Sequence, residues 1–212
     1  MATQNAKVRQ RGSSLVEFMV ASLLGLIALG IVGNVFISGK KAATERSKEL
    51  LLLQNMTSVM QQMKEDLLRA GYNGVTAGSS ILSGAAYAIH TQTDPEMLGF
   101  VYRVASSGSS AYRSVIYKYK PLSPRANLIQ LCEKHYHKPL TPASAAKSGF
   151  QGVCYNLFDP KQITIDSFNV STIETVSNSI SSAFSVISMS ASLVNDASVT
   201  HSMVIKVQQR NW

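Results

Sequence analysis

A single carboxylate inside a long apolar run constrains this chain more than any other feature. From Leu15 to Ile37 the sequence reads LVEFMVASLLGLIALGIVGNVFI, and Glu17 is the one ionisable side chain in it. A run of about 23 such residues is long enough to cross a hydrocarbon core as a helix. A charged side chain costs about 2.5–3.5 kcal/mol at the centre of a span and less near its edge. A chain seldom carries that penalty without a use for it, so Glu17 is read as functional. No Lys or Arg lies within the run, so its natural partner is a cation from another molecule.

The flanks set the orientation. Lys7, Arg9 and Arg11 precede the run, and cationic residues next to a first span keep that end in the cytoplasm. Lys40 and Lys41 at the far end weaken the asymmetry. An ordinary secretory signal would have an apolar core of about 7–15 residues and a small-residue cleavage site. This run is longer, and Ile37-Ser38-Gly39-Lys40 makes a poor site of that kind. A plain uncleaved anchor is the other alternative.

Basic residues, then Gly12, then an apolar segment whose fifth residue is Glu17: this order is similar to the class III signal of type IV prepilins and type II secretion pseudopilins. The resemblance implies that a membrane peptidase cuts between Gly12 and Ser13 and methylates the new amino group of Ser13. Glu17 would then be the fifth mature residue. Ser13 departs from the Phe with which most of that family begin. Over Met60–Gly74 the run MQQMKEDLLRAGYNG resembles the end of the long helix in the PilW/PpdB group of minor pilins, relatives of the PulJ-type pseudopilins. The resemblance rests chiefly on residues 7–74. It implies an α+β, type IV pilin-like fold, with a long N-terminal helix packed on a mainly antiparallel β-sheet head. It also implies an inner-membrane protein with a periplasmic head, later part of an extracellular pilus. The partners implied are other minor and major pilins, the prepilin peptidase and the inner-membrane assembly platform. The role implied is at the filament tip, priming or capping assembly, with no cofactor and no metal. Such filaments serve adhesion, twitching motility or DNA uptake.

The helical pattern outlasts the apolar run. Leu52 or Leu53, Met56, Val59 or Met60, Met63 and Leu67 recur every three to four residues, which predicts one apolar stripe on an amphipathic helix. Gly71 and Gly74 bracket Tyr72-Asn73 and predict a stop near Ala70. A helix over 13–70 would be about 87 Å long at 1.5 Å per residue. Its first half is apolar all round and calls for a membrane or filament; its second half calls for a globular head. Gly25, Gly30 and Gly33 each weaken the first half by about 1 kcal/mol relative to Ala. They suit either close helix–helix approach or local unwinding. The expected segments are a leader over 1–12, an apolar half-helix over 13–37, an amphipathic half over 38–70 and a β-rich head over 75–212.

In the head, Phe100, Tyr102 and Val104 alternate with Val101, Arg103 and Ala105, predicting a strand. Val115–Lys120, closed by Pro121, predicts another, and Leu128–Cys132 a third. Pro139–Ser148 reads as a loop. Ile163 and Ile165, then after a one-residue slip Phe168 and Val170, mark a further strand. Ile187–Leu193 and Val199–Val207 alternate around a turn at Asn195-Asp196 and predict a hairpin with one buried face and a serine-rich opposite face. Edge strands of such a head offer strand addition to neighbours.

Cys132 and Cys154 are the two cysteines. In an exported domain such a pair most simply forms a disulfide. The alternative is a metal site in which His135 and His137, sharing one face of a strand, join both cysteines. His90 and His201 stand apart and read as surface or half-buried residues.

The formal net charge is +8 from 20 Lys and Arg against 12 Asp and Glu. Without Lys7, Arg9 and Arg11 the balance becomes 17 − 12 = +5. Such an excess is a weak argument for nucleic acid, though Lys118, Lys120, Arg125, Lys134 and Lys138 offer a basic patch for DNA at a filament tip. The sequence holds no phosphate-binding glycine loop, no G-x-S-x-G and no H-E-x-x-H. This is the sequence of an enzyme's substrate rather than of an enzyme.

Overall fold

The computed structural model describes residues 14–76, 78–123, 126–147, 153–177 and 180–211. The longest element is helix α1, Leu15–Arg69, of 55 residues. The chain divides into two compact units, residues 1–47 and 48–212.

In the first unit the helix presents its apolar side chains to the outside. Leu15 is 76% exposed, Phe18 72% and Phe36 71%. Gly25, Gly30 and Gly33 have open space where a Cβ would sit. An apolar surface of this extent is not tolerated in water and must be covered by hydrocarbon or by protein. By length and composition α1 is able to cross a membrane.

In the second unit the same helix becomes the spine of a two-sheet α+β head. Leu52, Met56, Val59, Met60, Met63 and Leu67 are buried along one stripe, as their spacing predicts. Burying each large apolar side chain contributes about 1.5–3 kcal/mol. The helix ends at Arg69, where the amides of Ala70 and Tyr72 donate to Leu67 and Arg69. Gly71 follows with φ +77°, and a Cβ there would collide with the carbonyl oxygen of Asn211. Glycine is therefore required both by the left-handed turn and by the C-terminal tail lying across it. The Asn211 side chain in turn donates to the Ala70 carbonyl at 3.2 Å.

The first sheet is an antiparallel meander in the order β1-β2-β3-β4-β5. Its strands are β1 (Ile89–Thr93), β2 (Glu96–Arg103), β3 (Tyr112–Ser123), β4 (Ala126–Tyr136) and β5 (Tyr155–Asn156). The second sheet joins β6 (Ile163–Ser177), β7 (Ile180–Leu193) and β8 (Asp196–Gln208), also antiparallel. One core lies among α1, the inner face of the first sheet (Leu98, Phe100, Val115, Tyr117, Ile129, Leu131) and that of the second (Ile165, Phe168, Ile187, Met189). A smaller core covers the other face of the first sheet, built from Leu82, Met97, Val101, Ile116, Cys132 and Ala145.

Three of the expectations change. Strand β2 alternates in sequence but is buried on both faces from Met97 to Tyr102, because Val101 packs into the smaller core. The stretch expected as a loop, Pro139–Ser148, contains a short helix α2, Pro142–Ala145. The Thr141 side chain caps it by accepting from the Ser144 amide, and Pro142 takes the first turn, where its missing N–H is harmless. Strand β3 also runs past Pro121, which sits opposite Asn127 beside a register shift; a proline is tolerated at such an irregularity.

The second sheet follows its pattern closely. A register shift falls between Ile165 and Ser167, where the hydrophobic alternation slips, and Ile163, Ile165, Phe168 and Val170 are all buried. Ile187, Met189, Ala191 and Leu193 are buried on the inner face of β7. Across it, His201, Met203 and Ile205 of β8 are half-buried and Val207 is buried. The hairpin closes one residue earlier than expected, with Leu193 opposite Asp196.

Candidate functional site

Glu17 lies in the first turn of α1 and is exposed. Its Oε2 accepts the Ser14 amide at 3.0 Å, the returning half of a capping box in which the residue three into the helix satisfies an orphan donor. The carboxylate also faces the positive end of the helix dipole. The signal, Ser14-Leu15-Val16-Glu17, was in the sequence and reads as S-x-x-E. Helix capping therefore accounts for part of what a carboxylate does at this position. Gly12 and Ser13 lie outside the described residues, as do the leader cations.

The head contains a polar network that the sequence reading did not find. The Tyr117 hydroxyl of β3 donates to Asp66 of α1 at 2.7 Å. Arg69 stands 3.6 Å from the same carboxyl group. Arg113 pairs with Glu133 and donates to the Tyr102 hydroxyl at 2.6 Å. Burial, and then the neighbouring Asp66 charge, push the Tyr117 hydroxyl far above its ordinary value. For Arg113, burial opposes the charged form, but the hydrogen bond to Glu133 and the surrounding negative charge outweigh it and raise its value. The signal for Asp66 was its place: it falls among Met63, Leu67 and the other stripe residues, where a carboxylate has no business without a partner.

A second tie joins α1 to the β7–β8 turn. Lys48 Nζ meets Asp196 Oδ2 at 2.7 Å, and Ser198 also donates to Asp196. The Lys48 hydrogen bond first, and Ser198 second, hold the Asp196 carboxyl below the usual range.

Cys132 and Cys154 form a disulfide with Cα atoms 4.4 Å apart. It closes the chain over α2 and the smaller core. This contradicts the four-ligand metal alternative. Both sulfurs are engaged, strand alternation puts His135 on the face opposite Cys132, and His137 lies past the end of β4. Both histidines are exposed, with the His137 ring tilted against that of Tyr136, centroids 4.1 Å apart. Among the described residues no three His, Cys, Asp or Glu come together in a way that could hold a metal ion.

Of the five basic residues, Lys118, Lys120, Lys134 and Lys138 are among the described ones. Lys118 and Lys120 share a face of β3, while Lys134 lies on β4 opposite Ser114, about 13 Å along the strand from Lys118 at 3.3 Å per residue. Lys118 donates to the Ala146 carbonyl at 2.7 Å; burial and then Lys120 lower its value. Lys134 and Lys138 are exposed, and Arg125 lies outside the described residues. His90 and His201 are half-buried.

Comparison with known proteins gives one firm result. The family model described as "PpdB: Prepilin peptidase-dependent protein B" matches residues 45–209. Neither a curated protein nor a solved structure matches. The α+β architecture, with a long N-terminal helix on antiparallel sheets, is consistent with a pilin-like fold, and the long apolar helix with a single-pass membrane anchor. The match covers most of the chain, and on that ground the protein is a member of the PpdB family of prepilin peptidase-dependent, pilus-related proteins.

Proposed function

We propose that this chain is a minor pilin, a subunit that primes or caps a type IV pilus after maturation by the prepilin peptidase. The observation that carries the reading is the exposed apolar half of α1, headed by Glu17 and joined to a disulfide-bonded head. Such a helix is stable in the inner membrane before assembly and among neighbouring helices afterwards, because both surroundings remove its apolar surface from water. Cleavage between Gly12 and Ser13 would free the Ser13 amine, and its methylation leaves the nitrogen cationic. In the filament Glu17 would face the amine of an adjacent subunit in apolar surroundings. An ion pair in such a place contributes registry more surely than net stability. The same arrangement would serve a type II secretion pseudopilin; partner pilins recovered by cross-linking separate the two systems.

The test is Glu17→Gln beside Glu17→Ala. Gln retains an acceptor for the Ser14 amide, so it preserves the cap while removing the charge. Both variants should be processed and accumulate in the membrane, yet be depleted from sheared filaments. Normal incorporation of Glu17→Gln would contradict the ion-pair role and leave helix capping as the use of Glu17.

A further inference from the structure

Between Glu96 and Asp159 the sequence holds eight Lys and Arg and one acidic residue, Glu133. That stretch carries 8 − 1 = +7, while the remainder, leaving aside Lys7, Arg9 and Arg11, carries 9 − 11 = −2. The modest overall excess therefore conceals a charge concentrated on the first sheet and the segments joined to it. An asymmetry of this kind marks a polyanionic partner. The one carboxylate does not offset it at the surface, because Glu133 pairs with Arg113, which donates to Tyr102 in the main core. At the β2–β3 turn this charge meets a row of flat groups. Arg103 of β2 lies opposite Tyr112 of β3, and Tyr112 lies opposite Tyr136 of β4. Alternation puts all three on the face that carries Val101, Ile116 and Cys132. The Arg103 guanidinium sits 5.1 Å from the centre of the Tyr112 ring, held there by the carbonyls of Ala105 and Ser106. The His137 ring lies 4.1 Å from that of Tyr136. Arg103, Tyr112 and Tyr136 are half-buried, and His137, Lys134 and Lys138 beside them are exposed.

We propose that this end of the first sheet binds single-stranded nucleic acid. Arg103, Tyr112, Tyr136 and His137 form the platform on which bases stack, and Lys134 and Lys138 meet the phosphates. Aromatic side chains interleaved with cations suit a single strand, because every base has a face that stacks and every nucleotide carries a negative charge. A duplex hides those faces inside its own stack, so it would offer the row only phosphates and base edges. Across three strands the row is about 10 Å wide, room for two or three bases. The acidic residues of the β1–β2 turn do not reach it: Glu96 stands at the far end of β2, about 23 Å from Arg103. The stretches of this region outside the described residues, 124–125 and 148–152, add Arg125 and no acidic residue. The proposal stands apart from the filament reading, because the row lies wholly within the head and needs no assembled neighbour.

The test titrates fluorescein-labelled dT12 with the full chain in non-ionic detergent micelles and follows the anisotropy from about 50 to 200 mM salt. Binding should weaken with salt at a logarithmic slope of about −2, the value for three phosphates at about 0.7 each. An abasic strand of the same length keeps the phosphates and lacks the bases. It should bind about ten-fold more weakly, the worth of one stacked base, and so should a dA12·dT12 duplex. Tyr136→Leu keeps an apolar side chain on the sheet and should weaken dT12 about ten-fold while leaving the abasic strand unaffected. Lys134→Gln combined with Lys138→Gln, both exposed positions, should weaken both strands and reduce the slope by about 1.4. Lys206→Gln, on the second sheet, should change nothing. Replacing dT12 with rU12 tells which sugar the face admits, and tighter binding of either supports the site. Equal binding of the abasic strand or of the duplex would overturn the proposal and leave a general polyanion surface. Absence of binding at 50 mM salt would overturn it outright.

Discussion

The Tyr117 hydroxyl donates to the Asp66 carboxylate at 2.7 Å, joining α1 to β3 inside the main core. Tyr117 is fully buried and Asp66 5% exposed, so each polar group depends on the other. A buried carboxylate is tolerated only where it is hydrogen-bonded, and this one fixes how far along the sheet the helix can sit. The apolar stripe alone, rich in methionines that adapt to many surroundings, would specify that register loosely.

Tyr117→Phe keeps the ring and removes the donor. The expected loss is about 1–3 kcal/mol, the range for leaving a buried group unsatisfied, read from urea unfolding at neutral pH. The variant should also flatten the alkaline limb of the stability profile. A hydroxyl whose value is raised on folding contributes stability that is complete below its unfolded value, near 10. That contribution is lost as pH rises above it. Wild type should therefore lose stability between pH 10 and 11, with Tyr119 and Tyr155, both raised chiefly by burial, accounting for what remains in Tyr117→Phe.

Lys48 and Asp196 act on the opposite limb. The Asp196 value is depressed by Lys48 and Ser198, so its contribution is present above the unfolded value and lost as pH falls through the folded one. Asp196→Asn should lower the melting temperature slightly at pH 7, and the gap should close in acid as the wild-type carboxylate is protonated. A gap that persists at pH 2 would mean that Asp196 acts through packing instead of charge.

Reducing Cys132–Cys154, or replacing both residues with Ser, should destabilise the head by about 3 kcal/mol in the chain-entropy account of a loop this long. The bond spans 22 residues and encloses α2. Hydrogen exchange should rise first around Ala145 and Leu140, which pack into the smaller core, before it rises at Met60 or Met63. Uniform loosening of both cores would contradict this order.

The sequence was legible where periodicity is local. The stripe from Leu52 to Leu67, the stop before Gly71 and the slip between Ile165 and Phe168 all reflect side chains facing one surface over a few residues. It was opaque where burial depends on distant chain. Val101 is buried because Leu82, Ile116 and Ala145 arrive from elsewhere, which no alternation within β2 could announce. The place of Asp66 in the apolar stripe called for a partner, but that partner lies 51 residues away, beyond the reach of any local pattern. Glu17 was legible as an anomaly in an apolar run, while its bond to Ser14 was written in the S-x-x-E order and passed over.

The mass and amino-terminal residue of the mature protein test the central claim most directly. The filament reading predicts a chain that begins at Ser13, with its amino group methylated, and that reverts to the full precursor when the prepilin peptidase is absent. A protein that still begins at Met1 in cells with active peptidase, or that starts downstream of Ile37, would contradict it.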